Sequence, residues 1–180
     1  METAMRKFLI AALAIFAFAG FVTSAEARSK ARAMTEAGEF AQDLKSSGRF
    51  DIDSSNLALR TSNNDEIKQF AQKMVDDHTA ADQKLTETLQ QTNMPELEYG
   101  MDAEARDVFE RLIVLQGSDF DRAYVRDQIQ AHGQAIALLE AYSKGGDNDA
   151  LKQLASTLLP TIKEHLQMAE GLRSNVTARR

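Results

Sequence analysis

Residues 65–91 carry the clearest helical pattern in the chain, DEIKQFAQKMVDDHTAADQKLTETLQQ. Acidic residues open the segment at Asp65 and Glu66, as is typical of the first turn of a helix, and Asn93-Met94-Pro95 ends it. Between them, one stripe recurs every three or four positions and consists of Ile67, Phe70, Ala71, Met74, His78, Leu85 and Leu89. The segment therefore predicts a long helix with one buried face.

The same period runs through the rest of the chain. Residues 37–61 predict a first long helix, 103–115 a shorter one, 118–145 a third long helix and 147–172 a fourth. No segment alternates convincingly between apolar and polar residues, so no strand is predicted. Because two of the connections are short, neighbouring helices should be antiparallel. The sequence thus predicts an all-α, ferritin-like up-down four-helix bundle with an extra short helix in the long crossover.

The composition of the chain argues against several kinds of site and partner. The chain has 180 residues, 43% of them apolar, with two prolines and no cysteine. That length predicts one domain with its own core. The lack of cysteine excludes disulfides, thiolate metal sites and a cysteine nucleophile. A net charge of -6 argues against a nucleic-acid partner recognised by bulk electrostatics.

The N-terminus resembles a secretory signal. Arg6 and Lys7 precede the apolar run 8–22, and Ala25-Glu26-Ala27 supplies a small-residue cleavage pattern. We therefore divide the chain into a signal peptide (1–27), a flexible basic lead-in (28–36), the bundle (37–173) and a C-terminal tail (174–180). No other long apolar run follows, so we expect a soluble periplasmic protein without a transmembrane segment after cleavage.

The chain has only three histidines, and each falls on the apolar stripe of a different long helix. If both short turns lie at one end of the bundle, the helical rise places His78 and His132 about 20 and about 17 Å below that end. His165 would then lie at about 27 Å, roughly two turns deeper. The same estimate puts Asp51 at about 15 Å, near the first two rings. We therefore expect the three histidines not to meet at a single point.

Two interpretations of these residues remain open. The first is a transition-metal site formed by His78, His132, His165 and Asp51, whose donors suit zinc or copper(II). Surrounding residues would support it, the methionines as soft donors for copper(I): Met74, Asp82, Tyr124, Pro160 and Met168. The second is a buried hydrogen-bond network that uses carboxylates, Tyr124 and the Ser156 carbonyl that Pro160 deprives of its donor. The predicted separation of His165 favours the network.

Several catalytic patterns are missing from the sequence. The residues three positions before the histidines are Val75, Ile129 and Ile162, so no Glu-x-x-His motif for a di-iron site exists. Zincin, nucleophile-elbow and phosphate-loop motifs are also absent. Asp77 and Glu164 each adjoin a histidine, but neighbours on a helix point to different faces, so we interpret both as solvated. These observations argue against an enzyme.

Three blocks together resemble a known family. They are Met74-Val75-Asp76-Asp77-His78, then 120–124 (FDRAY) with His132, and then Leu159-Pro160 followed by 165–169 (HLQMA). The set is similar to secreted bacterial ferritin-like proteins catalogued as a domain of unknown function, four-one-four-two, and covers residues 37–172. The resemblance implies a ferritin-like bundle exported to the periplasm, with the three histidines, Phe120 and Tyr124 matching the family's motif positions. It implies no activity.

The function that we predict is that of an exported, non-catalytic bundle whose histidine cluster binds zinc or copper in a periplasmic stress or homeostasis role. The alternative is a structural or protein-interaction module, with a periplasmic protein partner, whose histidines only hold the core together.

Overall fold

The computed structural model describes residues 24–95 and 97–178. Five helices follow one another in these ranges: α1 (Ser24–Thr61), α2 (Asp65–Gln91), α3 (Ala103–Ile113), α4 (Gly117–Gly145) and α5 (Asp149–Ala178). The four long helices form the bundle, and α3 lies in the connection between α2 and α4. No strand occurs in the part of the chain that the structure describes. The predicted all-α, ferritin-like bundle with an extra short helix is confirmed.

Side-chain caps explain where the helices begin. The Asn64 side chain accepts a hydrogen bond from the Glu66 amide, and α2 begins and ends at the predicted residues. Asp102 caps α3 by accepting from the Ala105 amide. Asn148 accepts from the Leu151 amide, so α5 begins two residues later than the sequence indicated. Each cap satisfies a backbone donor that has no partner within its own helix.

The two ends of the chain differ from the predicted boundaries. Helix α1 runs through residues 28–36, where we expected a flexible lead-in, since this segment is rich in alanine and basic residues and has no proline or glycine. Helix α5 continues to Ala178, through most of the predicted tail. The predicted signal peptide lies outside the described residues except for 24–27, which form the first turn of α1. None of the helices in the described ranges is both long and apolar enough to cross a bilayer.

The core consists of two apolar clusters, one near each end of the bundle. The first joins the end of α1 and the start of α2 to the start of α4 and the end of α5, for example Ala58, Ile67, Phe120 and Leu172. The second joins the opposite ends of the same helices, for example Phe40, Leu89, Leu139 and Leu151. The α1–α2 turn and the α4–α5 turn therefore lie at opposite ends. Our assumption that they share an end is wrong, because the crossover 92–116 returns along the bundle and makes α2 and α4 parallel.

We expect Gly146→Ala to lower the free energy of unfolding by about 1–3 kcal/mol. A Cβ atom at Gly146 would lie 2.5 Å from Cε1 of Tyr142. That ring cannot retreat easily, since it stacks on Phe40 at a centroid distance of 3.8 Å and donates its hydroxyl to Asp147. Gly171→Ala is the control. It has open space around its Cβ position and should stabilise α5 by about 0.5–1 kcal/mol. Equal urea midpoints for the two variants would contradict the prediction.

Candidate functional site

His78, His132 and His165 meet in the middle of the bundle. Their ring centroids lie 5.4 to 5.5 Å apart in all three pairs. One nitrogen of each ring lies within 4.8 Å of the corresponding nitrogens of the other two. The expectation that His165 lies two turns deeper is wrong. Measured from the end that holds the α1–α2 turn, His78 is 13 residues from Asp65, His132 is 15 from Gly117 and His165 is 13 from Ala178. All three therefore lie at a depth of about 20 Å.

Burial keeps two of these rings neutral. His165 is fully buried, His132 is 1% exposed and His78 is 6% exposed. Burial lowers the pKa of His78 below its ordinary value, and the neighbouring Asp51 only partly opposes this. Burial lowers the pKa of His165 to about 4, against the opposing hydrogen bond to Asp77. At neutral pH both rings therefore offer a lone pair on one nitrogen.

Hydrogen bonds determine which nitrogen of two rings carries the proton. Nδ1 of His132 donates to the backbone carbonyl of Gln128 at 2.9 Å. Nε2 of His165 donates to Oδ2 of Asp77 at 2.8 Å. Burial raises the pKa of Asp77, but hydrogen bonds from His165 and Lys73 outweigh it and lower that pKa, so the carboxylate is the acceptor. Nδ1 of His165 is therefore the nitrogen that carries the lone pair, and Nε2 of His132 is the nitrogen of its ring that makes no hydrogen bond.

Three buried ring nitrogens, one on each histidine, have no hydrogen-bond partner: Nε2 of His78, Nε2 of His132 and Nδ1 of His165. Buried polar atoms in proteins are nearly always satisfied, so three unpaired atoms in one cluster require an explanation. No protein group in the described part of the chain satisfies them.

The carboxyl group of Asp51 lies against the same cluster. Its Oδ2 is 3.5 Å from Nε2 of His78, and its Oδ1 is 4.0 Å from Nδ1 of His132. Asp51 is 1% exposed, and Oδ1 has no hydrogen-bond partner. A fourth potential ligand from α1 therefore lies beside two of the three imidazoles.

Other predicted site residues contact different groups. Asp82 pairs with Lys45 at 2.9 Å, and the Tyr124 hydroxyl bonds to Ser55 at 2.8 Å. Pro160 and Ser156 are exposed, so the freed carbonyl does not reach the buried rings. The predicted network through Tyr124 and Ser156 is therefore wrong. The two methionines both pack in the cluster at the α1–α2 turn, Met74 fully buried and Met168 partly buried.

Asp77 is the residue that the sequence analysis missed. We interpreted it as solvated, but its Oδ2 accepts hydrogen bonds from both His165 and Lys73. Asp77 does point away from the stripe of His78, and in this bundle that direction faces α5. The prediction failed because a helix pattern by itself does not say which helix packs on the neighbouring face. Glu164, by contrast, is exposed and lies 3.7 Å from Lys73.

Solved structures with the same fold share little sequence with this chain. A DUF305 fragment from Deinococcus radiodurans superposes with a TM-score of 0.69 and 16% identity, over 78% of this chain and 96% of that one. A DUF305 protein from Streptomyces coelicolor, described as secreted, gives 0.66 and 13%, over 79% and 93%. CopM in its Cu(II)-bound form gives 0.64 and 17%, over 77% and 95%. These likenesses establish the fold alone.

Comparison of the sequence with family models identifies the family of this protein. No curated protein matches the chain. The family model for the domain of unknown function DUF4142 matches residues 22–172, which is most of the chain and includes all three histidines. The protein is therefore a member of the DUF4142 family.

Proposed function

We propose that this protein binds one transition-metal ion, copper or zinc, between His78, His132 and His165, with Asp51 as a fourth ligand. The observation that carries the proposal is that each of three clustered histidines has a buried ring nitrogen without a hydrogen-bond partner, in a group whose rings each offer a nitrogen within 4.8 Å of the others. An ion that accepts their lone pairs would satisfy all three atoms at once.

The donor atoms at this site are of the chemical types that bind such an ion. Imidazole nitrogens with a carboxylate oxygen are common ligands of zinc and copper(II). An ion would also give the buried Oδ1 of Asp51 a partner, which no protein group among the described residues supplies. Nitrogen ligands of a tetrahedral zinc lie about 3.3 Å apart, given bonds of about 2.0–2.1 Å. The rings would therefore move slightly inward when the ion binds.

The hydrogen bonds behind the rings support the same interpretation. Metal-binding histidines usually donate their second ring N–H to a carboxylate or a backbone carbonyl, which fixes the tautomer and the orientation of the ring. Asp77 does this for His165, and the Gln128 carbonyl does it for His132. These hydrogen bonds therefore fix the orientation of both rings before an ion binds.

Copper is the first metal to test. CopM, whose fold is similar to that of this chain, has been solved in Cu(II)-bound, Cu(I)-bound and Ag-bound forms. Copper(II) also binds a given nitrogen and oxygen site more tightly than zinc does. We further propose that Met74 and Met168, which both pack in the apolar cluster at the α1–α2 turn, supply soft donors for copper(I).

The biological role that we propose is metal homeostasis or stress defence after export to the periplasm. The signal-like N-terminus supports export, since Arg6 and Lys7 precede an apolar run and a small-residue cleavage pattern. A processed N-terminus on protein recovered from the periplasm is the expected result.

Titration of the metal-free protein tests the proposal. We expect copper(II) or zinc to bind with a stoichiometry of one per chain in calorimetry, and magnesium not to bind, because magnesium prefers oxygen ligands. At a free-ion concentration of 100 times Kd, the bound ion should add about 2.7 kcal/mol to the free energy of unfolding. If neither copper nor zinc binds, the histidines serve the structural role of the alternative hypothesis.

A further inference from the structure

A cleft between α2 and α5 leads from the protein surface to two of the three histidines. It encloses about 100 Å³, and its walls include Asp77, Lys84 and Thr161 together with His78 and His165. Lys84 is exposed and His165 is fully buried, so the cleft runs from a solvent-exposed side chain towards a ring that solvent does not reach. A water molecule takes up about 30 Å³ in the liquid, so a partly hydrated ion fits.

Three other cavities in the described part of the chain do not offer this connection. The cavity of about 320 Å³ between α1, α3 and α4 is not lined by any histidine. The same holds for the open hollow of about 570 Å³ beside Arg111 and Arg122. A third cavity touches His78 next to Asp82 but encloses only about 20 Å³, which is room for little more than one water.

Asp77 lies where the cleft meets the rings. Both of its hydrogen bonds, from His165 and from Lys73, go to Oδ2. Oδ1 therefore remains for a cation that passes along the cleft. Carboxylate oxygens bind hydrated divalent cations readily, and the next donors inward are the imidazoles of His78 and His165.

We propose that the α2–α5 cleft is the route by which the metal ion enters and leaves the histidine site, with Asp77 as the first protein ligand on that route. This inference rests on the metal binding proposed above. It adds a kinetic property that the equilibrium titration does not measure.

Filling the cleft tests the route. In stopped-flow mixing of the metal-free protein with copper(II), Thr161→Phe should slow both association and dissociation by about ten-fold or more, since both directions use the same path. Kd should stay within about two-fold of the wild-type value, because Thr161 is not a ligand. The control, Val108→Phe, fills the larger cavity, which lacks histidines, and should leave both rates unchanged. A folded Thr161→Phe protein that loads at the wild-type rate would overturn the proposal.

Two charge-reversal variants at the surface give a second test, which does not require the interior of the protein to repack. Lys84→Glu places a negative charge at the mouth of the cleft, whereas Lys144→Glu makes the same change in net charge at the end of α4. At low ionic strength we expect copper(II) association to accelerate several-fold more in Lys84→Glu, and the difference to disappear at high salt. Equal rates in the two variants would place the route elsewhere. A wild-type protein that binds no metal would instead remove the proposed function.

Discussion

Replacement of His132 by phenylalanine is expected to weaken copper or zinc binding by about 100-fold or more while the helical bundle stays folded. Loss of a residue that merely orients a ligand costs about 10- to 100-fold in metal affinity, so loss of a ligand itself should cost at least as much. Phenylalanine keeps an aromatic ring in the core, and the hydrogen bond lost is the one to the carbonyl of Gln128 in the same helix. Calorimetry on the metal-free variant measures the affinity, and far-UV circular dichroism measures the helix content.

Tyr142→Phe is a suitable control for this variant. It also removes a polar group from a buried ring, but that ring lies in the cluster at the far end of the bundle, where its hydroxyl bonds to Asp147. The control should unfold at a slightly lower temperature and should bind the ion with the wild-type Kd. Wild-type affinity in His132→Phe would show that the ion is held elsewhere.

Acid should destabilise the metal-free protein strongly between pH 6.5 and pH 4. The pKa of His165 is about 4 in the folded protein and about 6.5 in an unfolded chain, so the unfolded state binds the proton first as the pH falls. Stability contributed by the neutral ring is complete above pH 6.5 and is lost progressively down to the folded pKa. The loss amounts to roughly 3 kcal/mol from His165 alone. His78 acts in the same direction, because burial also lowers its pKa.

Urea unfolding at a series of pH values measures this dependence, with His165→Phe as the matched variant. That variant cannot take up the proton in the unfolded state, so its stability should fall less steeply over the same pH range. Its Asp77 keeps the ion pair with Lys73 at 3.0 Å, which limits other effects of the substitution. Parallel curves for the variant and the wild type would show that His165 is not the group that titrates.

Periodicity was sufficient to predict the helices. The stripe in residues 65–91 gave both ends of α2, because a capping asparagine precedes it and a proline follows its last turn. Periodicity also indicated that the histidines point inward, since each lies on an apolar stripe. These features depend on residues that are close together in the chain, which is why a single sequence contains them.

The meeting of the three rings could not be predicted in the same way. The depth of His165 depends on which end of the bundle holds the α4–α5 turn, and that depends on whether the crossover returns along the bundle. Residues far apart in the chain decide this, through the apolar contacts that join the start of α4 to the start of α2. The role of Asp77 was hidden for the same reason, because its partner is 88 positions away in the sequence.

The proposed ligands are divided between two antiparallel helix pairs. Asp51 and His78 come from α1 and α2, whereas His132 and His165 come from α4 and α5. Each helix pair supplies two of the four donors, so the proposed site is complete only after the two pairs have packed together. Binding of the ion would then require that the two helix pairs have packed together. Removal of the ion by a chelator would weaken the contact between the pairs before it weakened the contacts within either pair.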